Sequence, residues 1–219
     1  MDFLALYVTL KLALVATAVL MVLAAPVAYF MAFSRFRGKS FVEALIYLPM
    51  ALPPTVIGFY LIMLMGPKGL VGRIWETLTG GSLLFTFLGI AIASIVYSLP
   101  FAVQPMKAAF QKIDSRLLDA SSILGLSKMN TFLRVIIPNS LAGIAAAAVL
   151  VFLHSIGAFG VLLMVGGSIP GETRVISIAI YEAVETMNYS AAALMALSFI
   201  PVSFLFLLLV NKLNEGGRA

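Results

Sequence analysis

From Leu12 to Phe33 the chain carries no charged side chain. Wound as an α-helix, a stretch of that length crosses a hydrocarbon core of about 30 Å, which takes roughly 20 residues. Four more apolar stretches are comparable, at 44–65, 83–106, 140–165 and 191–210, and the first extends back to about Phe3. They are too long for barrel strands and lack period-two alternation, which leaves helices as the spanning structure. The expected fold is an all-α membrane protein of five transmembrane helices, at about 3–33, 44–65, 83–106, 140–165 and 191–210, in one domain over residues 1–219. Only 11% of the residues are charged, where a soluble domain holds about a quarter. The start of the chain lacks a small-residue cleavage site and reads as a retained span, with Lys11 near its outer end able to snorkel.

The cations set the expected orientation. With the N-terminus outside, the inner segments hold Arg35, Arg37, Lys39, Lys107, Lys112, Arg116, Lys128, Arg134, Lys212 and Arg218. The outer loops hold only Lys68, Arg73 and Arg174. That asymmetry follows the positive-inside rule and predicts N-out, C-in. The cations form no basic run, so nucleic acid is not an expected partner. Without cysteine, disulfides and thiolate metal sites are excluded. His154 is the only histidine and has no ligand-spaced neighbour, so no metal site is expected.

Polar interruptions carry the functional signals. The loop 114–138 reads as two short helical pieces hinged at Gly125. Ser115–Leu124 takes Asp114 or Ser115 as its N-cap, with Leu117, Ser121 and Leu124 on one face and Leu118 beside them. Gly125 stops that helix, and Ser127 caps a second piece running toward Pro138 and the fourth span. A hinged rod of this kind suits a groove on a soluble partner; an ordinary solvated loop fits the same residues.

Pro49, Pro53, Pro54 and Gly58 interrupt the second span, and the third ends in YSLPFAVQPM. Each proline removes a backbone donor, so the helix breaks or kinks, and the freed carbonyls must face protein or a wet cavity. Pro53, Pro54, Thr55 and Gly58 are therefore pathway or hinge candidates, with passive kinking as the alternative. His154, polar at membrane depth, is expected to line a pore or to hydrogen-bond between helices. Glu43 is expected to answer the basic turn at 34–40 and the dipole of its own helix. Trp75, in the outer loop 66–82, is a natural interfacial anchor. In the outer loop 166–190, SIPGETR predicts a turn at Pro170–Gly171, and a turn merely stabilised by a local Glu172–Arg174 pair is the structural alternative to any docking role. VISIAIYEAV after it is too short to span and is expected as a helix lying at, or partly entering, the outer surface.

Several function classes fall away. His154 and Ser155 are adjacent, about 100° apart on a helix, and cannot form a nucleophile–base pair. No G-x-S-x-G occurs. An ion-coupled carrier or channel would place ionisable residues at mid-membrane, where only His154 stands. The chain also lacks G-x-x-x-x-G-K-[ST], so energy from ATP must come through another protein.

The spacing of Asp119, Ala120, Ser121, Gly125, Val135 and Pro138 resembles the cytoplasmic loop signature of ABC-importer permeases. Asp119 replaces the commoner Glu and Ser121 the commoner Ala. The resemblance implies a type I importer permease fold whose loop is a coupling helix seated in the ATP-binding subunit. Phe36–Lys39, LPPTVIG at 52–58, MGPKGLVG at 65–72 and SIPGETR at 168–174 are similar to molybdate permease subunits. So is the segment Ser155, Ile156, Gly157, Ala158, Phe159, Gly160, with a departure at Ala158, where relatives usually carry an acidic residue. Sulfate and tungstate permeases share much of the scaffold. The resemblance implies a permease homodimer in a prokaryotic inner membrane, with two ATP-binding subunits that use ATP and Mg below it. A periplasmic oxyanion-binding protein would dock above, at Pro170, Gly171, Glu172, Arg174 and the loop 66–73. Ser155 and Gly157 join His154 as pathway candidates, and the subunit itself holds no cofactor.

Overall fold

The structure is a computed structural model that describes the backbone of residues 2–216 and the side chains of 2–201, 204, 205 and 208. Arg218 and the side chain of Lys212, two of the expected inner cations, lie outside the described residues. Among the described residues every regular element is helical. In order these are α1 (Phe3–Phe33), α2 (Lys39–Ala51), α3 (Pro54–Met65), α4 (Leu70–Thr79), α5 (Phe87–Gln111) and α6 (Ser115–Ile123). Then come α7 (Lys128–Thr131), a π turn (Phe132–Ile136), α8 (Ile137–Asn139), α9 (Leu141–Gly157), α10 (Gly160–Gly166), α11 (Ile176–Glu185) and α12 (Tyr189–Gly216).

Among the described residues two helices, α1 and α5, are unbroken and long and apolar enough to cross a membrane. Asp2 starts α1 by accepting from the Ala5 amide at 2.9 Å. Thr86 starts α5 by accepting from the Gly89 amide at 3.1 Å. That cap is why the third apolar stretch begins its helix at Phe87 rather than Leu83, and the helix then runs past Met106 to Gln111. The buried face of α1 is rich in alanine (Ala13, Ala16, Ala24, Ala28), which lets it lie close against α5 and α9. One apolar core gathers around Leu12, Leu61, Ile90 and Leu162. A second gathers around Leu20, Met106, Phe110 and Ile136.

The second and fourth expected spans are not single rods. α2 and α3 meet at 111°, because Pro53 and Pro54 offer no amide to continue the ladder and Pro54 opens a new helix. The segment Lys128–Asn139 meets α9 at 77°. α9 itself stops at Gly157, with extended Ala158 leading into α10. Each bent pair passes as a membrane span only when its two helices are taken together. The apolar part of α12 runs over Tyr189–Pro201 among the described residues.

Two ion pairs differ from expectation. Glu43 accepts from Lys107 Nζ at 2.7 Å and ties α2 to α5, instead of answering the turn at 34–40. Because α2 already starts at Lys39, Glu43 lies a full turn inside it, on the side of α5. Arg174 pairs with Asp2 at 3.6 Å and with Glu182, not with Glu172. The turn explains this: the amides of Glu172, Thr173 and Arg174 all donate to the Ile169 carbonyl, which leaves Glu172 outward and turns Arg174 toward α1 and α11. Gly171 supplies the positive φ of +78°. Thr9 Oγ1 then accepts from the Ile176 amide at 2.8 Å, which holds the start of α11 on α1.

Candidate functional site

The two interrupted segments cross at their breaks. Gly58 on α3 is buried under Met164 of α10, where a Cβ on Gly58 would lie 2.9 Å from both Cβ and Sδ of Met164. A Cβ on Gly160 would lie 3.3 Å from Cβ of Pro54. Pro54 and Gly58 are thus packed on α10, while Pro53 and Thr55 stay exposed at the mouth of the break. Gly157 is exposed, with open space where a side chain would stand.

The remaining pathway candidates form a separate polar seam between α5 and α9. Ser98 Oγ is 2.9 Å from Nδ1 of His154 and 3.4 Å from Oγ of Ser155. Ser94 donates to Ser155 Oγ at 3.2 Å. The imidazole stacks on Phe101 at 4.0 Å between ring centres and leans on Tyr97 at 4.5 Å. Ser94, Ser98 and Ser155 are buried, so their hydroxyls satisfy one another rather than water. Ser94 and Ser98 are absent from the sequence expectation, although serines four apart in an apolar helix share one face and mark a polar stripe. Ser177, also unforeseen, donates to the Ala158 carbonyl at 2.7 Å and so satisfies the backbone where α9 stops.

The loop 114–138 forms two capped helices, α6 and α7, joined at Gly125. Asp114 accepts from the Arg116 amide at 2.9 Å and opens α6. The helix closes with the Leu126 amide on the Ser121 carbonyl and the Gly125 amide on the Ser122 carbonyl, each at 3.0 Å. This is a Schellman closure, and it requires the φ of +68° that Gly125 adopts. Ser121 is buried; its Oγ donates to the Leu118 carbonyl at 2.7 Å and accepts from Thr131 Oγ1 at 3.2 Å. The Ser121 hydroxyl therefore ties α6 to α7. Ser127 accepts from the Asn130 amide at 3.3 Å and opens α7.

Of the three residues expected on one face, Ser121 is buried, whereas Leu117 and Leu124 are exposed. Leu124 is the capping residue, where the chain leaves the helix, and it is 77% exposed beside Ile123 at 86%. Arg116, Asp119, Ala120 and Ile123 follow at helical spacing and are all exposed. Val135 sits in the π turn just before Pro138, whose ring would clash with the carbonyl four residues back in a regular helix.

Residues 24–216 match the family of binding-protein-dependent transport system inner membrane components. The chain belongs to that family. Among its relatives, it is similar to the molybdenum transport system permease protein ModB of Azotobacter vinelandii, at 43% identity over 206 residues. That match covers 94% of this chain and 91% of ModB. It is also similar to a probable sulfate transport system permease protein, cysT of Prototheca wickerhamii, at 30% identity over 93% of this chain and 79% of that one. Among solved structures, the MetNI methionine ABC transporter in inward-facing conformations has a chain that superposes with a TM-score of 0.76. The superposition covers 99% of this chain and 96% of that one at 16% identity, and shows a common fold.

Proposed function

We propose that this family member is the permease subunit of an ATP-driven importer for molybdate or tungstate. The identity of 43% to the A. vinelandii molybdenum permease, nearly end to end, carries this reading. Two copies form one pathway across a prokaryotic cytoplasmic membrane, N-out and C-in, with α1, α2–α3, α5, the α9 segment and α12 as the five spans. A periplasmic oxyanion-binding protein delivers the anion from above, against the turn of Pro170, Gly171 and Glu172. Two ATP-binding subunits, which carry ATP and Mg, dock below on α6. The subunit is not an enzyme, and hydrolysis belongs to those partners.

Mechanically, α6 receives the work. Its outward residues Asp119, Ala120, Ile123 and Leu124 meet the ATP-binding subunit, and the Gly125 closure together with the Ser121–Thr131 bond passes the motion to the π turn and α9. Closure of the ATP-binding pair draws the two α6 helices together and opens the pathway outward; hydrolysis reverses it. The switch depends on different partner contacts in the two states. The breaks at Pro53–Pro54 and Gly157–Ala158 are where the spans flex. The pathway holds the anion weakly, since among the described residues no Lys or Arg stands in the α3–α10 crossing or the His154 seam, and the binding protein supplies selectivity.

The similarity to a sulfate permease favours sulfate as a second reading. Reconstitution of the purified complex with its binding protein in liposomes separates the two. Uptake of molybdate that excess sulfate does not suppress supports the first, and sulfate uptake of equal efficiency replaces it with the second. Purification of the permease without an ATP-binding subunit, under conditions that keep it folded, would overturn both.

A further inference from the structure

Helix α4 carries most of its aliphatic side chains away from the body of the protein. Its inner side is occupied by Gly72, where a Cβ would meet the Gly66 carbonyl, and by Trp75, which packs partly buried on the core around Leu12 and Leu61. Leu70, Ile74 and Leu78 repeat every four residues on the opposite side and are 64%, 54% and 78% exposed. Among the described residues nothing covers this stripe.

We propose that α4 lies in the membrane–water interface, with Leu70, Ile74 and Leu78 in the outer acyl region of the lipid. The proposal rests on α1, α3 and α5 being spans of an inner-membrane component. Three features select lipid as the occupant. The stripe follows, after the turn at Gly66–Gly69, directly on a span whose own Phe59 and Met63 are exposed. Three aliphatic side chains offer only a few hundred Å², against about 800 Å² per partner in a stable protein interface. Lys68 and the exposed Arg73 flank the stripe, where ammonium and guanidinium groups meet lipid phosphates. A helix of this length is too short to span and long enough to float. The contact sets the depth of the outer end of α3.

The chain has no cysteine, so single spin labels test this in the assembled transporter in nanodiscs of phosphatidylethanolamine and phosphatidylglycerol. The variants are Leu70→Cys, Ile74→Cys, Leu78→Cys, Glu76→Cys on the polar side, and Leu14→Cys on the exposed face of α1. The expected result is oxygen accessibility above that of a water-soluble nickel chelate at 70, 74, 78 and 14, with the ratio reversed at 76. Labels at 70, 74 and 78 that favour nickel, or that are shielded from both reagents while 14 reads as lipid, overturn the interfacial helix and leave the spans standing. Shielding from both points to a second copy or another protein on the stripe. A water-like reading at 14 removes the transmembrane reading, and the proposal falls with it.

Discussion

Ser177 Oγ donates to the carbonyl of Ala158 at 2.7 Å, bridging α11 to the break between α9 and α10. The bond joins α11 to the one interruption of the fourth apolar segment that no proline explains. Removing the donor leaves a buried carbonyl without a partner, which costs about 1–3 kcal/mol. Ser177→Ala is expected to lower the unfolding midpoint in detergent by a corresponding amount, and Ser177→Thr to retain most of it. Equal midpoints for Ala and wild type would remove the bond from the account of that break.

At the crossing of α3 and α10, Gly58→Ala forces a methyl group into the Met164 side chain. Overpacking of this kind costs about 1–3 kcal/mol. Met164→Ala in the same chain removes Cγ and Sδ and is expected to recover part of the loss, read in a double-mutant cycle. Additive effects would show that the two residues do not press on each other.

The seam of Ser98, His154 and Ser155 separates packing from transport. Interhelical hydrogen bonds of this kind average about 0.6 kcal/mol and reach roughly 1.7 kcal/mol. Ser98→Ala is expected to lower stability within that range. Uptake by a reconstituted Ser98→Ala or His154→Ala transporter should fall further than the folded fraction does. Uptake that merely tracks the folded fraction would make the seam a structural tie alone.

Gly125→Val places a branched side chain at a φ of +68°, at a cost of about 1–2 kcal/mol. The strain sits at the end of α6, so transport-linked ATP hydrolysis is expected to drop while α1 and α5 remain folded. Leu124→Asp, at an exposed position, is expected to leave permease stability unchanged and to weaken retention of the ATP-binding subunit on purification. Full retention by Leu124→Asp would place that interface elsewhere.

Much of the local structure was legible in the chain because its causes are local. Asp114 and Ser127 open helices with their own side chains, Gly125 closes one by adopting a conformation that disfavours other residues, and Pro53–Pro54 breaks one by lacking amides. Partners were not legible to the same degree. Glu43 was read against the nearest cations in sequence, yet it meets Lys107, and Arg174 meets Asp2 and Glu182 instead of its neighbour Glu172. Periodicity put Leu124 on one face with Leu117 and Ser121, but periodicity stops applying where the capping residue leaves the helix.

By itself, then, the amino-acid order determined an all-helical membrane chain, the proline break in its second apolar segment, and the caps of the hinged loop before the fourth. These follow from hydropathy and backbone sterics, which act within a turn or two. Only the tertiary structure decided that Ser94 and Ser98 face His154 and Ser155, that Gly58 lies under Met164, and that Ser177 answers Ala158. Each of those depends on how far one helix is rotated and translated against another distant in sequence, which close packing sets and no single segment's period encodes.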